Sequence, residues 1–596
     1  MTAEIVQYSA WKPKRLRRLA RGLASVGRAA RREQSHDQMI KDFHEFDDGA
    51  CITADVCIIG AGAAGITVAK EFLGTHFSVL VLESGGLDNE AVIQKLNEGE
   101  VVGLPHAGIE KGRFRAFGGS TIAWGGQTLR LGAFDFQERS WVPYSGWPIT
   151  LQDIEPYYDR AERVLQLGPN IPYQDLCARA GIDPLIFDSA KLNMECSRWS
   201  PLPNFGTTYR KELREARNIS VILHTNVTQI ITNHAATTVE QVEIRTLAGK
   251  RGTAKARFYI ICCGGIESAR ILLASDRIEQ YGVGNKHDLV GRYFQDHVHI
   301  WCDDIVTTKR KLLQNACESF FIRGRKYAPL IALGERMQAE KQLLRIHGTI
   351  IFWMEPDSSV AAVKTLFRAV RGKTLPPLGE LRQLVGNSLA DPGELFGVVY
   401  RYWIQKRAGT PKRGRVFLAA LCEMAPDPNS RITLSEVRDP LGMRRARIDW
   451  RVGELERRTA SEYIRTIASE FGRLGIGSYD LKQAARLDDE RAWVQMATDN
   501  NHHMGTTRMH ESDKLGVVDS NCQVHGIDNL YIASSSVFPS SGSAYPTVTI
   551  LALCIRVADR LKDLLVRARP VELLREQLSI AGSNGEDDAR GAAGRN

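Results

Sequence analysis

Three glycines, Gly60, Gly62 and Gly65, stand in the run Asp55 to Gly65 (DVCIIGAGAAG) and carry the first chemistry legible in the chain. The spacing G-x-G-x-x-G gives each glycine a separate role, namely a tight turn, close approach of backbone to a pyrophosphate, and close packing of helix on strand. The phosphates then sit at the helix N-terminus, which offers unpaired N–H groups and a favourable dipole to an anion. Glu83 follows Gly60 by 23 positions, the offset at which a carboxylate accepts the ribose hydroxyls of an adenosine. Together these residues point to an ADP-ribose site. FAD and NAD share that half, so the motif leaves open which of them binds.

The elements that must position this set are readable around it. Val56–Ile59 is an apolar run suited to a buried parallel strand, Ile66–Phe72 a helix, and Ser78–Leu82 a second strand ending at Glu83. The chain has 596 residues, with hydrophobic residues at 43% and charged residues at 25%. That composition excludes global disorder and fibrous repeats. Seventy-eight Lys and Arg stand against 69 Asp and Glu, a net charge of +9. This is modest for the length, and no nucleic-acid motif accompanies it, so no nucleic-acid partner is expected. Eleven cysteines with no C-x-x-C pair give neither a disulfide framework nor a zinc site, and no metal is expected. Free thiols, the lack of a secretory signal and the lack of an apolar run of about 18 residues point to the cytoplasm.

Residues 12–32 carry nine Lys and Arg and no acid, with Leu16, Leu19, Leu23 and Val26 at near-helical spacing. This basic amphipathic segment suits a solvated arm, or a helix making peripheral contact with the inner face of a membrane. Residues 580–596 have nothing to bury and read as a disordered tail. Asp357 to Arg415 is basic, punctuated by Pro and Gly, and carries apolar helical pieces such as Val360–Val370. It reads as an elaboration on a core fold.

Together with the glycine motif, which is the first of them, six ordered blocks resemble the glucose–methanol–choline (GMC) oxidoreductase family, in the style of its bacterial dehydrogenase and pyranose-oxidase-like branches, from about residue 53 to 565. They are GAGAAG with Glu83, Phe117–Gln127 (FGGSTIAWGGQ), Gly146-Trp147-Pro148 with the helix Asp153–Leu165, Cys263–Leu273 (CGGIESARILL), Val290–His297 (VGRYFQDH), and His502–Met509 (HHMGTTRM) with Ser536–Ile550. The resemblance implies FAD. Its contacts fall on Gly60, Gly62, Ala63, Ala64, Gly65, Glu83, Ser84, Gly118, Gly119, Ser120, Trp124, Gly125, Val227, Cys263, Gly264, Ser535, Tyr545 and Thr547. Where pyranose oxidases carry a histidine bonded to the flavin, this chain has Ala123, so the FAD is expected to be non-covalent.

The resemblance also implies the catalytic pair. The family's base is the first His of H-x-x-G-T, which is His502, and histidine is the side chain suited to take a hydroxyl proton near neutral pH. The second member is usually His or Asn before a Pro-Thr; here it is Tyr545, a phenol that donates and accepts hydrogen bonds but ionises only near pH 10. His503 is expected to be structural. Gln295 and Asn501 are left outside the catalytic set. Thr547 opens a helix over Val548–Leu561 whose N-terminus favours negative charge on a reduced flavin.

The expected fold class is α/β, with a Rossmann-like FAD-binding domain interleaved with an α+β substrate domain on an antiparallel sheet packed on helices. Residues 1–49 form the basic arm; 50–150, 205–298 and 500–567 the FAD domain; 151–204 and 299–499 the substrate domain; 568–596 a mostly disordered tail. The family's substrate sheet has six strands, for which Ile346–Trp353 and Val398–Ile404 are candidates. Trp353, Tyr400, Tyr402 and Trp403 are the aromatics that can face a sugar ring, although core packing suits most of them. The implied reaction is FAD-dependent oxidation of an alcohol CH–OH, sugar, glycoside or polyol first, by hydride transfer to flavin N5 with His502 as base. The partners are that small-molecule alcohol and a separate electron acceptor: oxygen, a quinone or a cytochrome. Two alternatives stay open. Tyr545 admits altered lyase or decarboxylase chemistry on the same fold, and the basic arm admits a non-catalytic flavin-binding partner of a membrane assembly.

Overall fold

A computed structural model of the chain describes residues 39–372, 376–410, 414–479 and 486–567. The arm at 12–32 and the tail at 568–596 lie outside the described residues.

Ala50–Ile59 ends in four fully or nearly buried residues, and Val79–Leu82 is buried throughout. A strand apolar on both faces belongs inside a parallel sheet covered by helices, and that is where these two sit. Along the sheet, Ile40–Asp42 pairs with Ile219–Leu223, which pairs with Val79–Leu82, then Ala50–Ile59, then Arg251–Ile261, all in parallel. The far edge of Arg251–Ile261 is shared. Its last residues take Leu530–Ile532 in parallel, and its first residues take Val239–Arg245 antiparallel, followed by Asn226–Thr232. The strand near the C-terminus therefore returns to the sheet begun near the N-terminus, and both lead directly into one cavity.

The ordered sheet starts earlier than residue 50. Ile40–Asp42, assigned from sequence to the arm, is an edge strand, and Asp42 and Glu45 form a capping box on the turn that follows. Three residues were too short a signal to separate from the polar stretch before them.

The second sheet is antiparallel. Ser478–Tyr479, Val298–Val306, Val416–Cys422, Ile346–Phe352, Arg325–Leu333, Leu192–Trp199 and Gln127–Thr128 follow one another, with Phe320–Ile322 and Ala497–Thr498 added at the sides. It has nine strands where six were expected. Helix Glu454–Arg473 lies on it and buries Tyr463, Ile464, Ile467 and Phe471. Ile346–Phe352 is a strand as read from sequence, but Val398–Ile404 is not. Its residues belong to helix Pro392–Trp403, opened by the Asp391 side chain accepting the Glu394 N–H at 2.8 Å, with Pro392 in the first turn. An Asp-Pro start fixes a helix, and this local signal overrides the β propensity of the Val, Tyr and Trp residues. A third, three-stranded sheet joins Glu100–Val101 to Arg444–Asp449 and Arg431–Arg438.

Candidate active site

One cavity of about 670 Å³ runs between the two large sheets. At one end its wall holds Gly60, Gly62, Ala63, Ala64, Glu83, Ser84 and Val227; at the other it holds His502, Ser535, Tyr545 and Thr547. Gly119, Ser120, Trp124, Gly125, Cys263 and Gly264 line it between. Seventeen of the residues singled out from sequence thus meet on one surface, although they are spread from residue 60 to 547.

Gly65 and Gly118 stand behind that surface and shape it. A Cβ on Gly65 would lie 1.9 Å from the Gly60 carbonyl oxygen, so this position admits only glycine while helix Ala63–Glu71 packs against the turn. Gly118 has φ +110° and donates its N–H to the Ala61 carbonyl at 2.8 Å. This hydrogen bond lays the loop 118–120 across the dinucleotide turn, and a Cβ on Gly119 would come within 2.8 Å of Gly62 Cα.

The Gly62 cap supplies no side chain to the N-terminus of helix Ala63–Glu71, so its first N–H groups remain available to a phosphate. Glu83 is buried, accepts the Ala61 N–H at 2.8 Å and the Gly85 N–H at 3.0 Å, and burial pushes its carboxyl up. These two bonds tie it to the glycine turn. Three arginines that sequence reading missed enclose the middle of the wall. Arg113, Arg115 and Arg270 converge on Glu267, which they hold at about 2 against the opposing effect of burial. Their signal in the sequence was weak, because Arg113 and Arg115 sit in a loop and Arg270 hides inside the CGGIESARILL helix.

His502 is held by its backbone as well as its ring. Its N–H donates to Asp296 Oδ1 at 2.8 Å, and the next turn is pinned by reciprocal bonds between Gln295 and Met504, 3.0 and 2.8 Å. Gly505 has φ +84°, where a Cβ would strike the Tyr293 carbonyl at 2.2 Å. Asp296 holds the rest of the segment, accepting the His297 N–H at 2.7 Å through Oδ1 and meeting His106 Nε2 at 3.2 Å through Oδ2. Burial opposes its charge, but the His106 hydrogen bond and the nearby histidines hold its carboxyl well below the usual range. His503 also lines the cavity and points to the same carboxylate, its Nε2 at 3.9 Å.

The protonation pattern follows from the neighbours. His297 Nε2 lies 3.0 Å from the Gly542 carbonyl, which can only accept, so that nitrogen carries hydrogen. Burial lowers the His297 imidazole, which keeps the ring neutral and leaves Nδ1 as an acceptor. Nδ1 faces His502 Nδ1 at 2.9 Å, so His502 carries its hydrogen on Nδ1. The Asn500 amide nitrogen lies 3.1 Å from the same atom, and a hydrogen on His502 Nδ1 requires that amide to be turned so that its oxygen accepts. The lone pair of His502 is left on Nε2, the nitrogen without a hydrogen-bond partner among the described residues, on a side chain that lines the cavity. Burial and the adjacent His297 lower this imidazole to about 3. Sequence reading had quoted His297 within the VGRYFQDH block without giving it a role.

Tyr545 stands edge-on to His502, ring centroids 5.8 Å apart at 89°. Its hydroxyl has no hydrogen-bond partner among the described residues, and burial pushes the phenol up. It is therefore a neutral donor. The aromatics in the cavity are Phe114, Trp124, Trp199 and Tyr545. Trp353, Tyr400, Tyr402 and Trp403 are not in its wall: the last three belong to the outer helix Pro392–Trp403.

The chain matches the two GMC oxidoreductase family models, the N-terminal one over residues 206–299 and the C-terminal one over 426–554. The chain belongs to the GMC oxidoreductase family. It is accordingly an oxidoreductase acting on CH–OH donors, and FAD is its expected cofactor. This GMC oxidoreductase is 24% identical to 2-methyl-1,2-propanediol dehydrogenase of Mycolicibacterium austroafricanum, over 85% of this chain and 94% of that one. It is 22% identical to the fructose dehydrogenase large subunit of Gluconobacter japonicus, over 85% and 97% of the two chains. The fold is shared with formate oxidase of Aspergillus oryzae, with a TM-score of 0.51, 17% identity and 87% and 99% of the two chains covered.

The GMC cavity fits an FAD on its own residues. Glycines line it where a Cβ would intrude, an uncapped helix N-terminus opens on it where a pyrophosphate would lie, and Glu83 stands in its wall where a ribose would meet a carboxylate. No helix among the described residues is long and apolar enough to cross a membrane.

Proposed function

We propose that this enzyme oxidises a hydroxyl of a sugar, glycoside or polyol to a carbonyl, with His502 as the base. The observation that carries the reading is His502 in the cavity wall, with its Nδ1 engaged by His297 and its Nε2 without a hydrogen-bond partner among the described residues. An alcohol oxygen brought there gives its proton to Nε2, while the Tyr545 hydroxyl donates a hydrogen bond to the same oxygen. FAD, when bound, supplies the acceptor for the hydride leaving the carbinol carbon. The chain holds FAD non-covalently: Ala123 offers no atom for a bond, and the Cys263 thiol donates to the Ile59 carbonyl at 3.2 Å with burial pushing it up.

The substrate class rests on two supports. Relatives over most of the chain are named for a diol and a sugar. The cavity wall also offers Trp124, Trp199, Asn500, Asn501 and Gln127, a mixture of flat apolar faces and amides that suits a polyhydroxylated carbon chain. A separate electron acceptor, whether oxygen, a quinone or a cytochrome, completes the cycle.

The test is anaerobic titration of the purified flavoprotein with sugars, glycosides, polyols and simple alcohols, followed by absorbance and then acid precipitation. Bleaching by one member of the panel and release of free flavin by acid are expected. A flavin-loaded protein that none of these alcohols reduces would replace this reading with altered chemistry at Tyr545.

A further inference from the structure

Between strands Ile346–Phe352 and Val416–Cys422 the chain leaves the substrate sheet for three helices, Ser359–Gly372, Leu378–Ala390 and Pro392–Trp403. The first is anchored, with Val360 and Ala362 fully or nearly buried, and it packs on both of the others. Ser359 Oγ ties the ends together, donating to the Asn387 carbonyl at 2.8 Å and accepting the Asp391 N–H at 2.9 Å.

The outer two helices turn their apolar stripes away from the protein. Leu378, Val385 and Leu389 share one face of the second helix, and Leu378 and Leu389 are 72% and 71% exposed. On the third, Phe396, Val399, Tyr400 and Trp403, with Ile404 beyond its end, follow the i, i+3, i+4, i+7, i+8 spacing of one face, and Phe396 is 73% exposed. No residue of that helix is buried. An amphipathic helix of a globular protein normally buries this stripe, and a contiguous exposed set of large apolar side chains marks an interaction surface.

Charge identifies what the surface meets. Residues 357–415 hold eleven Lys and Arg against four Asp and Glu, and residues 12–32 hold nine against none, in a chain whose net charge is +9. The remainder of the protein is therefore net negative by seven. All of the excess positive charge is concentrated in the segment that exposes the apolar stripes and in the N-terminal segment.

We propose that the helices Leu378–Ala390 and Pro392–Trp403 dock this enzyme on an anionic lipid bilayer. Phe396, Leu389, Leu378 and Ile404 enter the headgroup and acyl boundary, Tyr400 and Trp403 sit at headgroup level, and the exposed Arg382, Lys406 and Arg415 meet lipid phosphates. The contact is peripheral and stands independently of the choice of alcohol.

The experiment is co-sedimentation of the full-length flavoprotein with vesicles of phosphatidylcholine alone or mixed with phosphatidylglycerol, at low and high salt. Binding to the anionic vesicles is expected, weakened by salt, and reduced at least tenfold in the triple variant Leu389→Asp, Phe396→Asp, Ile404→Asp. The substituted side chains are exposed, and an unchanged FAD content and melting temperature verify that the variant folds. Binding that persists in the triple variant would assign the membrane contact to residues 12–32 and overturn the proposal. A concentration-dependent dimer in sedimentation velocity without lipid, abolished by the same variant, would overturn it in favour of a second copy of the chain. Absence of binding to any vesicle would also overturn it.

Discussion

His297 Nδ1 lies 2.9 Å from His502 Nδ1, and the Gly542 carbonyl on the far side of the His297 ring decides which of the two nitrogens carries the hydrogen. A backbone oxygen thus sets the tautomer of His502, the proposed base, through an intervening imidazole. His297 is a positioning residue, because no contact of its own reaches the cavity. His297→Ala is expected to lower the rate of flavin reduction about 10- to 100-fold, the usual scale for a residue that orients a reacting ligand, with little change in KM. His297→Asn keeps an acceptor where Nδ1 stood and should recover part of the loss, while His297→Gln should not. Equal losses in all three variants would reduce His297 to a packing role.

His502, the proposed base, should give the larger effect. His502→Ala should slow anaerobic bleaching by about 10²–10⁴-fold, the range of general-base contributions, while FAD remains bound. Because burial lowers the imidazole to about 3, the lone pair is present at all pH values above that. The rate of flavin reduction should therefore stay level through pH 6.5, where an ordinary histidine would begin to protonate. A decline centred near 6.5 in stopped-flow traces would show that substrate binding does not preserve this environment.

Tyr545→Phe removes one hydroxyl that has no hydrogen-bond partner among the described residues and leaves the ring beside His502. Melting temperature should not change. A neutral hydrogen bond to the substrate oxygen is worth about 0.5–1.5 kcal/mol, so kcat/KM should fall about 2- to 12-fold. An unaltered kcat/KM would mean that the hydroxyl does not touch the substrate.

The FAD cradle is tested where a single atom decides it. Gly65→Ala places a Cβ on the Gly60 carbonyl, which forces the turn open, and the variant should purify without flavin. Glu83→Gln puts an amide group among the Ala61 and Gly85 N–H donors and should weaken FAD about 10- to 100-fold, on the scale of about 1–3 kcal/mol for an unsatisfied buried polar group. Flavin released by dialysis, followed by fluorescence titration, measures both.

The legible part of this protein was the part dictated by backbone geometry. Gly60, Gly62, Gly65 and Glu83 announce their roles because a tight turn, a close helix and a ribose contact each demand one residue type at a fixed spacing. His502 and Tyr545 were placed by resemblance to the family, and the cavity brings both together. What escaped was long-range. The His297 ring acts through a carbonyl at residue 542 and a histidine at 502, contacts that only the folded chain creates. The cluster on Glu267 draws Arg113 and Arg115 from a distant loop for the same reason, whereas Arg270 is its i+3 neighbour on one helix. Val398–Ile404 was misread because its composition favours strands, while the Asp391-Pro392 start and the spacing of Phe396, Val399, Tyr400 and Trp403 dictate a helix.

Acid should unfold this enzyme through its histidines. His299 is lowered by burial to about 4, and His347, His502 and His503 to about 3. An unfolded histidine titrates near 6.5, so between that value and the folded one the unfolded chain binds more protons than the native one. Stability then rises with pH across this window. It is fully present above about 6.5 and is lost as pH falls toward 4, by up to about 1.4 kcal/mol per pH unit for each such group. Melting temperature should decline steadily from pH 6.5 to pH 4.5. His347 is the group to remove, because its Nδ1 meets Ser543 Oγ at 3.0 Å while its Nε2 is buried without a partner. His347→Asn retains a polar atom toward Ser543 and removes the titrating ring, so its melting curve should be shallower against pH than that of the parent. A parallel pair of curves would place the acid sensitivity on other groups.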